Sequence, residues 1–122
     1  MEENQKVFGK HLVADIYGAP KEQLANYEGV FRLLMELPSV VNMHMLTSPY
    51  VVIADPEKKM EWGVSGFVMI QESHISCHTW PEKGYVSMDI YSCKDFDDNQ
   101  LVAFLKQYWK ASTVKSQVIE RG

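Results

Sequence analysis

The sequence predicts an α+β fold: a two-layer sandwich in which a mainly antiparallel sheet carries two helices on one face. Three observations carry that expectation. Short runs of β-branched and aromatic residues are separated by turn residues, only two segments show helical spacing, and the order β-α-β-β-β-β-α-β groups the strands together. Each helix brings one apolar stripe, enough for one sheet face. The opposite face is then left to solvent or to a second subunit.

Residues 10–17 (KHLVADIY) read as a strand, closed by the turn Gly18-Ala19-Pro20. Over 20–37 the spacing turns helical, with Tyr27, Val30, Phe31 and Leu34 at i, i+3, i+4 and i+7, and Pro38 is expected to stop the helix. Residues 40–47 alternate as a strand does, and 50–53 can form another. The stretch 54–61 (ADPEKKME) is polar, contains Pro56 and reads as a surface loop. Three strand-like runs follow at 64–71, 74–80 and 85–93, the last two joined by a Pro81-Glu82-Lys83-Gly84 turn. Asp97 or Asp98 is placed to cap a helix running to Lys110, with Leu101, Phe104, Leu105 and Tyr108 on its inner face. Residues 113–120 make a final strand.

A chain of 122 residues is one domain by length, and small for a complete enzyme pocket, which suggests a site shared between subunits. Hydrophobic residues make up 46% and charged residues 23%, ordinary for a soluble globular domain. A net charge of −4 without a basic block argues against nucleic acid and anionic membranes as partners. No apolar run approaches bilayer length, and Met1-Glu2-Glu3-Asn4-Gln5-Lys6 is unlike a secretory signal, so a cytoplasmic location is expected. There the two cysteines, Cys77 and Cys93, are expected as free thiols.

Reactive side chains are densest from Glu72 to Glu82 (ESHISCHTWPE). On a strand His74, Ser76 and His78 share one face. A helix would pair His74 with His78 as metal ligands, but on a strand four residues separate them by about 13 Å. Zinc needs bonds of about 2 Å, so no metal site is expected. Cys77 is expected as a small core residue. Pattern and spacing alone leave a small α+β domain whose function is open.

The segments Gly63-Val64-Ser65-Gly66, Glu72-Ser73-His74-Ile75-Ser76, His78-Thr79-Trp80-Pro81-Glu82-Lys83-Gly84-Tyr85 and Asp89-Ile90-Tyr91-Ser92-Cys93 together resemble the prokaryotic S-adenosylmethionine decarboxylase proenzymes, a pyruvoyl-dependent family. Gly9-Lys10-His11-Leu12-Val13-Ala14-Asp15 is similar to the family's opening strand. The resemblance implies self-cleavage between Glu72 and Ser73 into a β chain, 1–72, and an α chain, 73–122. Ser73 would become a pyruvoyl group that forms a Schiff base with the substrate amine. Such a rearrangement needs a hydroxyl against the preceding carbonyl, a base near the Ser73 α-hydrogen and donors for an oxyanion. By the same resemblance His78 is the base and Ser65 the hydrogen-bond partner that assists it. Gly63 and Gly66 would let the backbone pass close to the site. Cys93 matches the family's proton donor, and free thiols are mostly protonated at neutral pH, as that role requires.

For the substrate, Glu82 matches the family glutamate that binds the ribose, while Trp80 and Trp62 offer aromatic faces to adenine or to the sulfonium. The sequence departs from the family at Lys59, six residues before Ser65, where a stacking phenylalanine is usual. An arginine or ornithine decarboxylase on the same fold is therefore an alternative, with Asp55, Glu57 or Glu61 meeting the distal cation. A non-catalytic binding module would be expected to lack Ser73, His78 or Cys93, and all three are present. The resemblance also implies a homodimer with sites near its interface.

Overall fold

The computed structural model describes residues 8–55, 57–58 and 61–122. The polar stretch Met1 to Lys6, and Pro56, Lys59 and Met60 of the 54–61 loop, lie outside the described residues. Strand β1 (Gly9–Tyr17) leads into α1 (Lys21–Leu24) and α2 (Tyr27–Val40). Then come β2 (Tyr50–Ala54), β3 (Gly63–Ile70), β4 (Ser73–Trp80), β5 (Tyr85–Ser92), α3 (Asp98–Trp109) and β6 (Thr113–Arg121). The strands form one sheet in the order β2-β3-β4-β5-β1-β6, every neighbouring pair antiparallel.

Period-two patterning decides which face is covered. Along β5, Val86, Met88, Ile90 and Ser92 are buried, while Tyr85, Ser87, Asp89 and Tyr91 are partly open. Leu12, Ala14 and Ile16 of β1 and Ile75, Cys77 and Thr79 of β4 join the covered side. Against them pack Val30, Leu33, Leu34 and Leu37 of α2 and Leu101, Leu105 and Trp109 of α3. The α+β sandwich is as expected, and among the described residues the other sheet face carries no helix.

Three local expectations are corrected. The single helix over 20–37 is two, because Asn26 leaves the helical conformation and its side chain accepts from Gly29 N–H, starting α2 afresh. Pro38 lies inside α2, in its last turn, where its missing N–H removes one bond from a ladder about to end. The strand expected over 40–47 is absent: Asn42 takes a left-handed conformation (φ 63°) and only Met45 is bridged, to Ile70. Val41 and Met43 alternate because they bury themselves over the sheet end. In α3 the fully buried row is Leu101, Leu105 and Trp109, with Phe104 and Tyr108 flanking it.

The glycines around Ser65 serve packing. A Cβ on Gly63 would sit 1.8 Å from the Thr79 carbonyl oxygen, and one on Gly66 would meet Leu34 of α2 at 2.9 Å. Thr79 ties the layers: its buried hydroxyl donates to the Leu24 carbonyl (2.8 Å) and accepts from Val64 N–H (2.9 Å). Thr79→Val keeps the shape but strands both groups. It is expected to cost about 2 kcal/mol, seen as a lower urea midpoint with an unchanged slope.

Candidate active site

The expected cleavage site falls on the two-residue turn between β3 and β4. The Glu72 carbonyl oxygen accepts a 2.8 Å hydrogen bond from the Cys93 backbone N–H, just beyond β5. The Glu72 carboxylate is also held, accepting from His44 N–H at 3.1 Å and from His44 Nδ1 at 2.9 Å. Glu72 is only 8% exposed. Burial pushes its carboxyl pKa up, but the two His44 hydrogen bonds outweigh that and hold it below the usual range.

Ser73 follows with φ 157°. At that angle its Cβ is swung toward the Glu72 carbonyl carbon, roughly 40° from eclipsing it. The ordinary extended or helical conformation of an L-residue points Cβ away. Ser73 pairs with Ser92, so Glu72, Ser73 and Cys93 are brought together at one end of the sheet. The Cys93 thiol is exposed. Cys77 is fully buried as expected, and burial pushes its thiol up to about 12, which makes it no nucleophile.

Ser65 and His78 are cross-strand partners on the uncovered face, Oγ and Nδ1 2.9 Å apart. Pairing therefore joins the two residues expected to assist processing. It does not join them to Ser73, because five residues of strand separate Ser73 from His78 by about 17 Å. Beside them a shallow depression of about 460 Å³ is lined by Tyr50, Val52, Phe67 and Met69 as well as His74 and Ser76.

Glu82, Trp80 and Trp62 gather at the far end of β4. Glu82 accepts from Trp62 Nε1 (3.1 Å) and pairs with Lys21 (3.0 Å), contacts that lower its carboxyl pKa, Lys21 first. Trp80 Nε1 donates to Glu61 (2.9 Å), whose other oxygen meets Lys83 (2.8 Å). The Trp80 ring lies against Tyr85, centroids 5.1 Å apart, and Lys58 sits 4.5 Å from the Trp62 ring. The cleft between these groups is about 80 Å³, far below a usual ligand pocket. Gly84 closes the turn with φ 63°, a conformation that costs glycine little. Among the described residues, no three His, Cys, Asp or Glu side chains cluster as a metal site would.

Sequence reasoning missed the Cys93 amide, His44 and Lys21, and did not foresee Glu61 as the partner of Trp80 and Lys83. No local signal points to them, since each acts through a contact between segments far apart in the chain.

An α+β chain that holds a carbonyl oxygen on an amide N–H, directly before a serine turned toward that carbonyl, defines a class. It holds two parts of what a serine-dependent backbone rearrangement needs, the serine beside its carbonyl and a donor for the oxyanion. The profile of the S-adenosylmethionine decarboxylase family matches residues 10–122. The S-adenosylmethionine decarboxylase proenzyme of Clostridium botulinum is 36% identical over 118 residues, 96% of this chain and 97% of the relative. That of Thermococcus kodakarensis is 34% identical over 118 residues, 96% of this chain and 78% of the relative. The solved adenosylmethionine decarboxylase of Aquifex aeolicus superposes with a TM-score of 0.82 at 29% identity, covering 96% of this chain and 92% of that one. The chain belongs to the S-adenosylmethionine decarboxylase family, a family of carboxy-lyases.

Proposed function

We propose that the chain is a proenzyme that cuts itself between Glu72 and Ser73. The resulting chains, 1–72 and 73–122, then decarboxylate S-adenosylmethionine with a pyruvoyl group made from Ser73, serving polyamine synthesis. The observation that carries this reading is the Glu72 carbonyl, held by the Cys93 N–H and followed by a serine whose φ turns its Cβ toward it. Ser73 Oγ adds to the carbonyl carbon and closes a five-membered ring, its oxyanion resting on the Cys93 N–H. The ring opens at its C–N bond and the nitrogen takes a proton, so the amide becomes an ester. A base removes the Ser73 α-hydrogen and the Cβ–Oγ bond breaks, so that Oγ leaves with Glu72 as its new carboxylate. The enamine left at residue 73 becomes an imine, and water displaces ammonia from it to leave the pyruvoyl group.

That group supplies an electron sink for decarboxylation. Cys93, one residue past the cross-strand partner of Ser73, is at the right sheet end for its thiol to return the proton to the substrate α-carbon. Glu82 with Trp62 and Trp80 forms the polar and aromatic group suited to a ribose and an adenine.

Within one chain the base is about 17 Å from Ser73 along the strand. A homodimer resolves this if two copies pair their uncovered faces about a two-fold axis, so that each presents His78, Ser65 and Glu82 to the other's Ser73. The apolar side chains left open there suit such burial: Tyr50 is 62% exposed and Phe67 45%. The same pairing would wall in the small cleft at Glu82. The cytoplasm, where Cys93 stays reduced, is the compartment this chemistry suits. No helix is long and apolar enough to cross a membrane among the described residues.

Intact mass of purified protein, with and without methoxyamine, tests the reading. Two chains ending at Glu72 and starting at residue 73, the second adding the ketone reagent, are expected. Carbon dioxide should then be released from S-adenosylmethionine and not from arginine or ornithine. Nothing in the comparisons points to either amino acid, and Glu61, one carboxylate that reading needs, is engaged by Lys83. A single stable chain, or release from arginine or ornithine alone, would overturn the proposal.

A further inference from the structure

We infer that His44 is a positioning residue for self-cleavage: it clamps the Glu72 side chain so that the neighbouring carbonyl stays on the Cys93 amide. The inference rests on the self-cleaving reading and assigns a role to a segment in which pattern showed only alternation.

Residues 42–46 form a strap across the cleavage turn. Leu46 N–H donates to the Met69 carbonyl (2.9 Å) and Gln71 N–H donates to the His44 carbonyl (2.7 Å). Between these two bonds, His44 offers its own N–H and its ring Nδ1 to the two oxygens of Glu72, at 3.1 and 2.9 Å. Lys94, next to Cys93, reaches back to the Asn42 carbonyl at 2.9 Å. The strap thus ties the two halves of the site, the turn that carries the carbonyl and the segment that carries its donor.

The backbone bonds are available to any residue at position 44. The ring bond is not. His44 is 72% exposed at its side chain while Glu72 is nearly covered, so the imidazole stands at the surface with its Nδ1 on the carboxylate. Hydrogen bonds at its carboxylate and at its carbonyl both oppose rotation of Glu72. Without the ring bond, the Glu72 carboxylate keeps only the bond from the residue 44 N–H, about which it can swing and carry its backbone with it. Misplacement of a reacting group by about 1 Å can cost 100-fold in rate.

The test is the rate of appearance of the 73–122 chain, by intact mass, in freshly folded proenzyme. His44→Ala is expected to slow it about tenfold or more. His44→Asn, which keeps a side-chain N–H donor at the δ position, should recover most of the rate. Glu72→Ala, which loses the residue 44 N–H bond as well as the ring bond, should slow cleavage at least as much, and the double variant His44→Ala with Glu72→Ala no further than Glu72→Ala alone, since the ring bond is already gone there. Far-UV circular dichroism and a melting curve on each proenzyme separate slow cleavage from a failed fold, and Glu72→Ala reports independently if His44→Ala does not fold. Full-rate cleavage by folded His44→Ala, an Asn variant as slow as Ala, or additive losses in the double variant would each overturn the role of His44. A wild-type chain that never cuts would instead remove the self-cleaving reading on which it rests.

Discussion

Ser73→Ala is expected to leave the chain whole, at the mass of all 122 residues, with no fragment ending at Glu72 and no carbonyl for methoxyamine to label. The bond to be cut is an ordinary peptide bond. What distinguishes it is a carbonyl already on a donor and a following serine whose Cβ is swung toward that carbonyl. Intramolecular placement of this kind is worth roughly 7–11 kcal/mol of barrier, so losing the hydroxyl stops cleavage on any laboratory time scale. The substitution removes one oxygen from a half-buried strand start, and the proenzyme should keep its far-UV spectrum and melting temperature. Intact mass after several days at 37 °C checks it. Fragments broken at the same bond in the alanine variant would mean that a contaminating protease, not Ser73, does the cutting.

The second large effect comes from mixing variants. His78→Ala alone is expected to stay uncut, because no copy then holds the base. Ser73→Ala alone stays uncut for lack of a nucleophile. Co-expressed with distinguishable tags, the two should complement. The His78→Ala chain keeps Ser73 and Cys93, receives His78 from its Ser73→Ala mate, and appears as 1–72 and 73–122 in the purified mixed dimer. The Ser73→Ala chain in the same dimer remains intact. The expectation follows from strand arithmetic, since five residues of β4 place a chain's own His78 about 17 Å from its Ser73. Mixed dimers in which the His78→Ala chain stays whole would show that the base acts within its own chain. Cutting of His78→Ala by itself would remove His78 from the mechanism.

Periodicity alone was enough to read the sheet. Buried strands such as β5 alternate with period two, and each of its inward residues could be named before any partner was known. The turn 81–84 was equally legible, through Pro81 and Gly84. Residues 40–47 misled for the same reason. Val41 and Met43 alternate because they are buried against the sheet end, and alternation reports burial on one side, not a paired backbone. In the same way Asn26 looked like one more polar residue in a long helix until its side chain was seen capping Gly29.

The sequence by itself determined the sheet-and-helix class and, through motif resemblance, the family, and with it the expectation that Ser73, His78, Cys93, Ser65 and Glu82 carry the chemistry. Those are properties of residue type and spacing, which survive without coordinates. Only the tertiary structure decided which of these residues meet. Ser65 and His78 are thirteen residues apart yet 2.9 Å distant, because antiparallel register folds one strand onto the next. Ser73 and His78 are five apart yet on separate parts of the sheet, because an extended chain spends about 3.4 Å on every residue. The hold on Glu72 is of the same kind: His44 and Cys93 reach it from segments whose sequences contain no reference to it. Distance along a chain and distance in space are converted by strand pairing, and pairing is set by the whole sheet.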